Sequence, residues 1–103
     1  MRDNRVDFGT AFPKALQSLD TAVQEVISSG WEEYSRSHAH ELAAALTMAA
    51  KDAHWWETEA VLRPIVALLA LSPRELFPIQ EDVRGKLLEL LALLKRFPAS
   101  RSA

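Results

Sequence analysis

Residues 12–30 read FPKALQSLDTAVQEVISSG, and within them Phe12, Leu16, Leu19, Val23 and Val26 recur at spacings of four, three, four and three. That is the stripe of an amphipathic helix, because 3.6 residues complete one turn. Pro13 falls in the expected first turn, where a missing N–H costs nothing, and Gly30 stands just past the end. A helix over about 12–29 is predicted, with Lys14, Gln17, Asp20, Gln24 and Glu25 largely on its wet side.

Outward from this helix the same period returns. Just after it two signals compete, since Ser29 and Glu32 have the spacing of a capping box while Gly30 marks a stop. From about 37 to 57, Leu42, Leu46, Ala49, Ala53 and Trp56 fall on one face, and the many alanines allow another helix to approach closely. A third helix over about 58–71 is apolar nearly all round, with Pro64 in its second turn or splitting it. Ser72-Pro73-Arg74-Glu75 supplies a cap residue, proline at the first helical position and glutamate at the third, so a short turn over 73–77 precedes Pro78. In the last helix, about 79–97, Ile79, Val83, Leu87, Leu90, Leu94 and Phe97 form one stripe. Pro98 is expected to end it, leaving 99–103, like 1–9, as loose termini.

The chain has no Asn-Gly or Asp-Gly pair and no sustained alternation of period two, so hairpins have nothing to start from. The expected fold is all-α: one domain over 1–103, an antiparallel four-helix bundle with a short extra helical turn.

Composition removes several functions. The 103 residues include 14 acidic and 12 basic side chains, a net charge of −2, and no cysteine. A disulfide framework, a thiol nucleophile and a thiolate metal site are excluded. Nucleic acid is not expected as a partner, because its binding domains usually carry a basic face. The longest apolar run, residues 65–71, is far short of the ~20 residues that span a bilayer, and residues 1–9 lack the apolar run of a signal peptide. No membrane association is expected, and a cytoplasmic location is.

Three histidines, His38, His40 and His54, are the candidates for chemistry. His38 and His40 point about 200° apart on a helix. His40 and His54 share a face but stand roughly 21 Å apart at 1.5 Å per residue. Neither pair can hold one ion, so no metal and no cofactor is expected. The segment Ala39-His40-Glu41-Leu42 resembles the histidine helix of the histidine-containing phosphotransfer domains, small four-helix bundles that present one histidine to response regulators. The resemblance implies His40 as the phosphoryl carrier. The family continues with a lysine and a glycine three and four residues after that histidine, where this chain has Ala43 and Ala44. A phosphotransfer-like bundle using His40, or another small helical enzyme, is the alternative reading; no glycine-rich phosphate loop or serine elbow supports other catalysis.

The main reading comes from surplus leucine. Leu88, Leu91 and Leu93 widen the last stripe well beyond the ~100° that one packing face requires, and a second apolar face needs a further partner. Trp and Tyr are enriched at interface hot spots because they join apolar area to a hydrogen-bonding end. Trp31, Tyr34 and Trp55 are therefore added to the candidate interface, with Trp56 entering the core and Trp55 at its edge. The expected function is a protein–protein interaction module, an adaptor, regulatory or assembly subunit that acts through apolar helix faces. Its expected partner is another protein chain, and a homodimer is the expected state.

Overall fold

The computed structural model describes residues 4–101, with side chains from Phe8 to Arg96. Its helices are α1 (Asn4–Ser28), α2 (Glu33–Asp52), α3 (Trp56–Leu69), the single turn α4 (Pro73–Leu76) followed by a 3-10 turn (Phe77–Ile79), and α5 (Gln80–Arg101). The four long helices form a ring in which α1 packs on α2, α2 on α3, α3 on α5 and α5 back on α1. Trp55, after α2, reaches Phe8 near the start of α1, while Arg36, early in α2, reaches the carbonyl of Leu71 beyond α3. Neighbouring helices thus run antiparallel, and the fold is the four-helix bundle that the periodicity predicts. It measures 46 × 23 × 19 Å.

The α1 stripe is buried in full, and Phe8 extends it by one more turn. The helix begins at Asn4 rather than near residue 12, so residues 4–9 are helical and not loose. Pro13 lies inside it, exposed on the solvent side. An interior proline costs about 3 kcal/mol. Burying Phe8 and Phe12 returns about 1.5–3 kcal/mol each, so continuing the helix wins. Gly9 serves the same packing: Trp55 Cζ2 stands 3.3 Å from where a Cβ would be.

Of the two signals after α1 the stop is used; Ser29 Oγ accepts the N–H of Glu32 at 3.3 Å, but the cap of the next helix is Glu32 itself and not Ser29. The N–H groups of Gly30 and Trp31 return to the carbonyls of Ile27 and Val26, a Schellman stop with Gly30 at φ +73°. The Glu32 side chain then caps α2 by accepting the N–H of Ser35 at 3.0 Å. The second helix therefore starts at Glu33, not 37. It ends at Asp52, not 57, through a second Schellman stop in which His54 and Trp55 bond to Lys51 and Ala50, with His54 at φ +63°. No glycine or proline marks that stop, which is why the sequence pattern runs through it. The break turns the following residues to new directions. Trp55 packs on Phe8 and Phe12, while Trp56, expected in the core, is 57% exposed. The buried face of α2 is Ala39, Ala43, Leu46 and Ala50, continued by Ala53 just past its end, so Leu42 is half-buried and Ala49 exposed.

α3 passes Pro64 without a break. Ser72 and Glu75 form the predicted capping box, with Ser72 N–H donating to Glu75 Oε1 at 3.0 Å and Glu75 N–H to Ser72 Oγ at 3.3 Å. In α5 the residues Val83, Leu87, Leu90 and Leu94 are buried as expected, but Ile79 falls in the 3-10 turn before it and is exposed. Phe97 lies outside the described side chains, and residues 1–3, 102 and 103 outside the described residues. Pro98 does not end the helix, which continues to Arg101. One proline removes one hydrogen bond, and Leu90, Leu91 and Leu94 anchor the turns before it.

Candidate functional site

The predicted interface residues do not assemble into one surface. Leu91 is 1% exposed and belongs to the core, and Leu88 and Leu93 are half-buried, Leu93 packed against it. The bundle covers Leu91 fully and Leu88 and Leu93 in part. Trp31 is buried as well, held at φ +67° after the first Schellman stop. Trp55 closes the end of the core, edge-on to Phe8 with ring centroids 4.7 Å apart. Tyr34 alone of the group is fully outside, 79% exposed.

His40 lies half-buried in a polar groove of about 310 Å³ between the start of α2 and the end of α3. Glu33, Arg36, Ser37 and Glu41 line it together with residues 69–71. Arg36 is committed to the scaffold, since its Nε donates to the Trp31 carbonyl at 2.9 Å and its Nη1 to the Leu71 carbonyl at 3.1 Å. It thereby ties the first turn of the bundle to the third. Two carboxylates and the negative end of the α3 dipole face the same groove. A phosphoryl group, with a charge of about −2, would meet like charge there. Among the described residues no three His, Asp or Glu side chains come close enough to hold a metal ion. Among them, too, no helix is long and apolar enough to cross a membrane.

The unexplained surface is on α2. Residues 42–50 read LAAALTMAA, nine positions without a charge, although three of them face water. Ala45, Met48 and Ala49 are exposed, Met48 at 57%. Toward α1 they border an apolar groove of about 380 Å³ lined by Phe8, Ala11, Ala15, Leu42, Ala45 and Ala49. Toward α3 a second groove, of about 250 Å³, is lined by Ala44, Thr47, Met48, Arg63 and Val66. Small side chains make the first groove: an alanine fills only the space beside its own Cα, so two helices can touch and still leave a furrow outside their contact. The chain matches no protein-family model, no curated protein and no solved structure. The signal that would have located this face is the charge-free run itself. It exceeds two helical turns, whereas a helix packed on two neighbours normally places charged or polar residues on its remaining side.

The ends of α2 are fixed by polar chemistry. Ser35 donates both its N–H and its hydroxyl to the Glu32 carboxylate, and with the N–H of Tyr34 these hold Glu32 below the ordinary carboxylate range. Glu75 is lowered likewise by the N–H and hydroxyl of Ser72. Both are capping effects.

Proposed function

We propose that the protein is a helical interaction module, an adaptor, regulatory or assembly subunit, and that its contact surface is the outer face of α2. One observation carries this reading: a charge-free ridge, Ala45, Met48 and Ala49, stands in solvent between two apolar grooves. Exposed apolar residues scattered singly need no explanation, but a ridge with a furrow on each side matches what a partner helix covers. Alanine suits such a contact, because it lets helix axes approach to the short end of the usual 8–10 Å range.

The test uses Ala49→Glu, an exposed position where a good helix former replaces another. Melting should be unchanged to within about 0.5 kcal/mol. Capture experiments from the native cell extract should lose a protein that the unaltered chain retains. An identical set of captured proteins, this chain itself included, would remove the proposal.

A further inference from the structure

We draw no further inference here: the strongest candidate, the apolar groove of about 380 Å³ between α1 and α2 that Phe8, Ala15, Leu42 and Ala49 line, carries none because nothing in the structure shows what covers it.

Discussion

Helices α2 and α5 exchange the roles that their compositions suggest. α5 carries the surplus leucine, yet Leu91 is buried and Leu88 and Leu93 are half-buried within the monomer. α2 carries alanine, the residue of tight core contacts, yet Ala45 and Ala49 stand in water. The difference lies in reach. A leucine extends sideways from its helix and finds cover in the seam with a neighbour, so a wide leucine arc can be shared between two seams. An alanine goes only where its Cα–Cβ bond points, and an outward one stays outward. Apolar content therefore measures hydrophobicity, not availability.

The largest expected effect tests this contrast directly. Leu91→Ala should lower the unfolding free energy by about 2–5 kcal/mol, read as a shift of the urea midpoint at constant slope. Leu93→Ala, half-buried, should cost roughly half as much. If Leu91→Ala left stability within about 0.5 kcal/mol of the original and abolished self-association instead, α5 would be the interface and the contrast would be lost.

What was legible in the sequence follows the same division. Long side chains at helical spacing announce their burial, so the stripes of α1 and α5 were readable from Phe12 to Val26 and from Val83 to Leu94. The Ser72–Glu75 box was readable because two side chains of fixed type serve two backbone groups. Alanines give no such direction. The buried face of α2 is displaced from the expected one, sharing with it only Leu46 and Ala53. The ends of α2 were hidden because Glu32 is an uncommon cap and His54 an uncommon left-handed residue. The second of these also exchanged the roles of Trp55 and Trp56. Of the expected interface, only Tyr34 remains wholly exposed, since its place in the first turn of α2 lies beyond the seams.

Burial can also work against a residue, and α3 shows it. Thr58 is 1% exposed and its hydroxyl has no hydrogen-bond partner among the described residues. Valine keeps the branched shape and removes the unpaired group, so Thr58→Val should raise stability by about 1 kcal/mol, measured by urea unfolding. A loss of that size would show that the hydroxyl is satisfied in solution.

Where α5 is held by burial, α2 relies on its ends, and substitutions there should be felt in proportion. A left-handed conformation costs a residue with a Cβ roughly 1–2 kcal/mol, which glycine avoids. His54→Gly should therefore gain somewhat less than about 1 kcal/mol, because it also gives up the ring stacked 5.2 Å from Trp56 and loosens the unfolded chain. Gly30→Ala, at the equivalent place after α1, should lose about 1 kcal/mol. Thermal melts of the pair moving in the same direction would break the equivalence of the two stops.

The smallest effect separates the caps themselves. Glu32 and Glu75 are both lowered from the ordinary value of 4.5, and in the unfolded chain both return to it. The folded protein thus binds these protons less readily than the unfolded one. Their stabilisation is complete above about pH 4.5 and is lost as pH falls through the lowered folded values. Ser72 continues to accept the N–H of Glu75 after that carboxylate is protonated, so the turn before α5 keeps half of its box. α2 has no such reserve, since the Glu32 carboxylate is its side-chain cap. In unfolding measurements from pH 6 down to about 3, Glu32→Gln should flatten the acid slope more than Glu75→Gln does. Equal flattening would mean that α2 depends on its cap no more than the α4 turn does on its box. Its exposed ridge would then have to be held straight by contacts with α1 and α3 alone.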